Sequence, residues 1–112
     1  MIPKEHRLIT KADFARLFKR GRVVHTRGIS LKLAKNKRDL TRFGIVISAK
    51  VSKKAVVRNK IRRRLRTSVG RRLERIAPGY DAAIMVRKDA VGLGFNDLDA
   101  AVERLLEKGE LL

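Results

Sequence analysis

The sequence runs to 112 residues with 44% apolar side chains, enough for one core and one domain over residues 1–112, and sets 29 Lys and Arg against 11 Asp and Glu, a formal net charge of +18. A small soluble domain typically carries a net charge of magnitude about 2 to 8, so this excess points to a polyanionic partner. The absence of cysteine excludes disulfide staples, thiolate zinc sites and thiol catalysis and suits a reducing cytosol; no apolar run approaches the roughly 20 residues that span a bilayer, and MIPKEHRLIT lacks the apolar stretch of an export signal.

In chain order, Thr10 caps a first helix with Asp13 as its reciprocal partner, and Gly21 closes it after Arg20. Phe14, Leu17 and Phe18 share a face of that helix. Residues 22–26 read as a short strand. Residues 28–35 read as a longer one, in which Ile29, Leu31 and Leu33 alternate with Ser30, Lys32 and Ala34. A polar turn over 36–41 leads to a third strand over 42–49, rich in Ile45, Val46 and Ile47. From about Ser52 the period becomes helical, with Val57, Ile61, Leu65, Val69 and Ile76 on one arc until Pro78 and Gly79 end it. Gly70 is the weak point of that helix. A buried strand is predicted over 80–87, then a glycine loop over 92–94. Asn96 caps a last helix carrying Leu98, Val102, Leu105 and Leu106, which Gly109 ends. The order αβββαβα describes a small α+β sandwich, one sheet with helices packed on it. No repeat or linker divides it.

Charge is unevenly placed. Between Lys50 and Arg66 stand nine basic residues and no acid, and no acid occurs between Asp39 and Glu74. From Asp89 onward Asp97, Asp99, Glu103, Glu107 and Glu110 outnumber Arg104 and Lys108. One end is thus built to meet a polyanion and the other to stay away from it. No catalytic constellation can be assembled: His6 and His25 read as surface residues, and Asp97, Asp99 and Glu103 suit the positive end of the last helix better than a metal.

The basic helix carries the sharper signal. At helical spacing Asn59, Arg63 and Arg66 form one flank, Lys60 and Arg64 lie further round, and Val57, Ile61 and Leu65 define the buried side. Arg58 and Arg62 fall near the edge of the apolar arc. A merely solvated face would mix Glu among these cations for i,i+4 pairs, and none is present. The helix follows a sheet with a polar face of Ser30, Lys32, Ser48 and Lys50. That arrangement fits single-stranded or structured RNA lying across sheet and helix better than a major-groove reader.

RLITKADFARLFKRGRVVHTRG, then FGIVISAKVSKKAVVRNKIRRRLR, then GYDAAIMVRKDA and a closing helix closely resemble the protein subunit of bacterial ribonuclease P over nearly the whole chain. AVVRN followed by KIRRRLR is similar to that family's RNR motif. The resemblance implies the family fold, which is ribosomal protein S5 domain 2-like with a left-handed βαβ crossover against the general right-handed rule. It also implies a division of labour. An RNA subunit is the catalyst, with magnesium or similar divalent ions held mainly by RNA and substrate and none by the protein alone. The protein clamps the 5′ leader of precursor tRNA. By resemblance, Arg58, Asn59, Lys60, Arg62, Arg63 and Arg66 face RNA, with Lys50, Lys53 and Lys54 able to reach phosphate. Phe14, Phe18, Lys32 and Ser48 border the leader cleft, although plain core packing accounts equally for the two phenylalanines; Phe18 is expected to be the more buried ring. Two departures stand out. Lys32 occupies a place where some members carry an aromatic, and the VSKKA turn lacks a glycine that many members have. The implied partners are ribonuclease P RNA and precursor tRNA, with no membrane, no obligate protein partner and a cytoplasmic location. The rival reading is a small basic ribosomal or other structural RNA-binding protein. Such proteins often carry long basic tails, whereas this chain ends in an acidic helix.

Overall fold

In the computed structural model, which describes residues 2–112, helices α1 (Lys11–Arg20), α2 (Ala55–Gly70) and α3 (Phe95–Lys108) and strands β1 (Arg22–His25), β2 (Ile29–Lys35), β3 (Arg42–Val46) and β4 (Tyr80–Val86) follow in the expected order. The strands form one sheet in the order β1-β2-β4-β3. β2 is antiparallel to β1 and β4, while β3 runs parallel to β4, so α2 is the crossover of a βαβ unit.

The period-2 pattern of β2 separates two layers. Ile29, Leu31 and Leu33 join Ile84 and Phe43 under Ile61, Leu65 and Val69 of α2 and Leu98, Val102, Leu105 and Leu106 of α3, a continuous buried core. The opposite face meets α1 through a smaller cluster of Leu8, Leu17 and Ala83, with Phe14 and Ala34 at its edge. α1 comes close because this face is lined by small residues. At Gly44 an added Cβ would stand 2.7 Å from Cε1 of Phe14, so the bare backbone of β3 is the seat of that ring.

Two arginine clusters fix helices to this frame. Arg42 on β3 forks onto Asp81 of β4 at 2.9 Å through both Nε and Nη2, and its Nη1 reaches Asp13 of α1 at 3.3 Å. The Asp13 amide donates to Thr10 Oγ1 at 3.1 Å, which is the expected cap. Its carboxylate, expected to reach back to the cap residue, instead bonds Arg42 and Arg16. At the far side Arg72 donates to both oxygens of Asp99 at 2.7 and 3.0 Å, and Ser68 donates to Oδ1 at 2.7 Å.

Three expected boundaries are corrected. The basic helix stops at Gly70 instead of running on to Ile76. Arg71 closes it by donating its amide to Thr67 O, and a 3-10 turn over Leu73–Arg75 then carries Ile76 into the core from outside the helix. The inward turn of Arg72 toward Asp99 accompanies this break. α3 starts two residues earlier than expected, with Gly94 and not Asn96 as its cap, because the Leu98 amide already bonds Gly94 O. β3 ends at Val46, where the chain turns through the Ser48 to Val51 hydrogen bond toward α2.

Candidate nucleic-acid interface

α2 opens without any of the usual stabilising groups. Lys54 caps it with no side-chain bond, and its first turn holds no acid. Cations at the positive end of a helix dipole oppose folding, and the unfilled N–H groups there favour an anion. The six cations within α2 are Arg58, Lys60, Arg62, Arg63, Arg64 and Arg66. Among the described residues none of them pairs with a carboxylate, whereas Arg16, Arg42, Arg71, Arg72 and Arg87 all do. The acids are distributed to structural arginines, and the basic helix keeps its charge.

Asn59, Lys60, Arg63 and Arg66 are exposed, as are Lys50, Lys53 and Lys54 in the turn that feeds the helix. Arg58 and Arg62 are half-buried, in keeping with their place at the edge of the apolar arc. Arg58 donates to Ser52 O at 2.6 Å and so braces that turn, and Arg62 donates to Asn59 Oδ1 at 2.8 Å, which holds both side chains along one flank.

The second half of the site lies between that flank and α1. A cavity of about 350 Å³ is lined by Arg66 of α2, Phe14 of α1, Gly44 and Ile45 of β3, and Arg7 and Ile9 of the amino-terminal segment. Arg66 and Phe14, 52 residues apart by numbering, thus face one concavity. Ser48 is exposed beyond the end of β3. Lys32 is half-buried, with Cγ 2.9 Å from where a Cβ on Gly21 would stand, so its stem runs beneath the end of α1. Ser30, expected on an open polar face, is buried: His25 Nδ1 lies 2.7 Å from its hydroxyl, and Arg87 also bonds it. His6 is likewise half-buried, its Nδ1 2.8 Å from Thr41 O.

The order of burial in the aromatic pair reverses the expectation. Phe14 is half-buried over Gly44, while Phe18 is 39% exposed and stacks on Phe14 with ring centroids 6.3 Å apart. Helix geometry supplies the reason: fully buried Leu17 marks the centre of the packed arc, with Phe14 about 60° from it and Phe18 about 100°. Phe18→Ala should therefore remain folded, losing under about 1.5 kcal/mol in urea melts; if the ring borders the leader cleft, as the resemblance implies, binding of leader-bearing tRNA weakens and binding of leaderless tRNA does not. Equal loss for both tRNAs would remove Phe18 from the cleft.

Sequence reading missed Arg7, Ile9 and Gly44. The first two carried no signal, because their place depends on a bridge of Arg7 to Phe43 formed only in the fold. Gly44 did carry one: a lone glycine inside a strand marks close approach of another group.

The structure is that of a single-sheet α+β protein in which one helix carries six cations without carboxylate partners beside a cleft. The family model described as Ribonuclease P matches residues 2–110. The ribonuclease P protein component of Picosynechococcus sp. is 37% identical over 110 residues, covering 98% of this chain and 95% of that protein. A solved Staphylococcus aureus RNase P protein, described as a mutant with defective mRNA degradation activity, superposes with a TM-score of 0.91 at 29% identity over 97% of this chain and 92% of its own. The RNase P protein of Thermotoga maritima gives 0.83 at 29% identity over 91% of this chain and 96% of its own. The chain belongs to the ribonuclease P protein family, whose members serve the ribonuclease that matures the 5′ ends of tRNA.

Proposed function

We propose that this chain acts as the substrate-holding subunit of a ribonucleoprotein, in which the RNA subunit carries out hydrolysis of the precursor tRNA and the polypeptide binds that RNA and the 5′ leader. The observation that supports this most directly is the set of six α2 cations left without carboxylate partners beside a cleft that Arg66 and Phe14 share. On this reading Lys50, Lys53, Lys54, Arg58, Asn59, Lys60, Arg62, Arg63 and Arg66 meet phosphates. The leader strand runs over Phe14 and Phe18 between Lys32 and Ser48. Phosphate contacts of this kind set position and affinity without reading sequence.

Among the described residues no three His, Asp or Glu side chains converge where a metal ion could sit. On this reading the divalent ions, magnesium or similar, are held by RNA and substrate phosphates. No helix of the described residues is long and apolar enough to cross a membrane, and a cytoplasmic location fits a subunit that works on tRNA.

The polypeptide alone should cleave neither precursor tRNA nor a messenger RNA, and addition of ribonuclease P RNA should restore a single cut at the mature 5′ end. Messenger RNA is included because of the activity ascribed to the S. aureus protein. Metal-dependent cleavage by highly purified protein that survives prior micrococcal nuclease treatment would place chemistry on the polypeptide and sink this division of labour.

A further inference from the structure

α2 separates two concave sites, and only one has been given an occupant. Asn59, Arg62, Arg63 and Arg66 form a stripe at i, i+3, i+4 and i+7 whose last member lines the leader cleft. Val57, Lys60, Ile61 and Arg64 form a second stripe of the same spacing on another flank. That second stripe lines a groove of about 350 Å³ whose far wall is Val91 and Leu93, in the loop before α3. The size lies at the lower end of ligand-holding clefts.

The groove is apolar where a protein surface would ordinarily be wet. Ile61 and Leu93 form a buried floor at 4% and 8% exposure, Val57 is half-buried, and Val91 stands 42% exposed with nothing covering it. Its mouth is open, because an added Cβ at Gly92 or Gly94 would meet no atom within 4 Å. Gly92 has a φ of +95°, a conformation that suits glycine and shapes the loop around the cavity. The groove's charge is of one sign. Lys60 and Arg64 flank it, no acid lines it, and Arg64 is pinned by donating Nη1 to Leu93 O at 3.0 Å.

A slot with aliphatic walls and two cations at its rim, one of them held in place, complements one unpaired nucleotide, with the base between the walls and its phosphate on the rim. We infer that this groove receives an unpaired nucleotide of the RNA subunit, on the side of α2 away from the leader. A protein partner would require acidic residues to answer Lys60 and Arg64, whereas an RNA already lying along α2 brings base and phosphate together. The inference rests on the reading of α2 as an RNA-binding helix.

The absence of native cysteine permits a clean test. Val91→Cys labelled with benzophenone maleimide, in full-length protein bound to ribonuclease P RNA, should crosslink on irradiation to one unpaired nucleotide of that RNA, with or without precursor tRNA. Val91→Glu should weaken binding of the same RNA about tenfold, the scale of one lost base contact, and leave the preference for precursor over mature tRNA unchanged. The same charge change at Ala100, exposed on α3 outside the groove, should have less than about a threefold effect. Crosslinks confined to tRNA or scattered over paired RNA, or equal effects of Val91→Glu and Ala100→Glu, would overturn the inference. Arg63→Ala, on the exposed side of α2 and lining neither cavity, separates the two levels. If it weakens RNA binding while Val91→Glu does not, the groove proposal alone fails; if neither does, the reading of α2 fails with it.

Discussion

Asp99→Ala should destabilise the domain by about 3 kcal/mol. Arg72 is 8% exposed at its side chain and donates to both Asp99 oxygens, so truncation strands a buried guanidinium. The contacts that remain are weaker: Nη1 still donates to the uncharged Ser68 O and Oγ, Nε lacks a hydrogen bond, and half-exposed Glu103 stands 3.8 Å from it. Ser68 on α2 loses its acceptor in the same step, which loosens the junction between α2 and α3. The hydrogen bonds from Arg72, followed by that from Ser68, hold the Asp99 carboxyl down at about 2 from an ordinary 3.8. Since the folded value is the lower one, its contribution is complete above about pH 4 and is lost as pH falls from there toward 2. Urea melts across that window should show wild-type protein losing on the order of 2 kcal/mol more than Asp99→Asn. Parallel pH profiles for the two would mean that the pair does not bear on stability.

Arg62→Ala and Arg66→Ala act on RNA affinity with little effect on the fold. Neither side chain belongs to the core, and neither pairs with an acid. If each meets one phosphate, the plot of log affinity against log salt, for ribonuclease P RNA or for precursor tRNA bound by the holoenzyme, should flatten by about 0.7 to 0.9 per variant, and by about twice that in the double variant. The measurement is a salt series of binding isotherms with thermal melts run in parallel. An unchanged slope with intact melts would place both arginines away from the RNA surface.

What was legible in the sequence was whatever depends on neighbours in the chain. The alternation of Ile29, Leu31 and Leu33 gave β2 and its buried face, and the i, i+4 spacing of Val57, Ile61 and Leu65 gave the inner side of α2 and, with it, the outward flank of cations. What depends on distant partners was not legible. The end of α2 turns on Arg72 meeting Asp99, 27 residues later, and the seating of Phe14 turns on Gly44, a residue of another strand. Asp13 looked like a capping carboxylate because Thr10 is its neighbour, but Arg42 claims it from 29 residues away. The parallel pairing of β3 with β4 follows from no local pattern. It came into view only through the family resemblance. Within the site, the cations were readable because nothing in the chain around them is acidic. The cleft they border was not, since its walls come from the amino-terminal segment, α1, β3 and α2 together.

If the polypeptide holds the leader, the tRNA affinities of ribonuclease P RNA measured with and without this protein should differ only where a leader is present. Precursor tRNA bearing a leader and mature tRNA lacking one are titrated at the same divalent-ion concentration. The structure predicts that adding the protein strengthens binding of the precursor and leaves binding of the mature tRNA unchanged, and that Phe18→Ala and Arg66→Ala erode this difference. An equal gain for both tRNAs, or a gain that these variants leave intact, would contradict the assignment of the cleft between α1 and α2 to the leader.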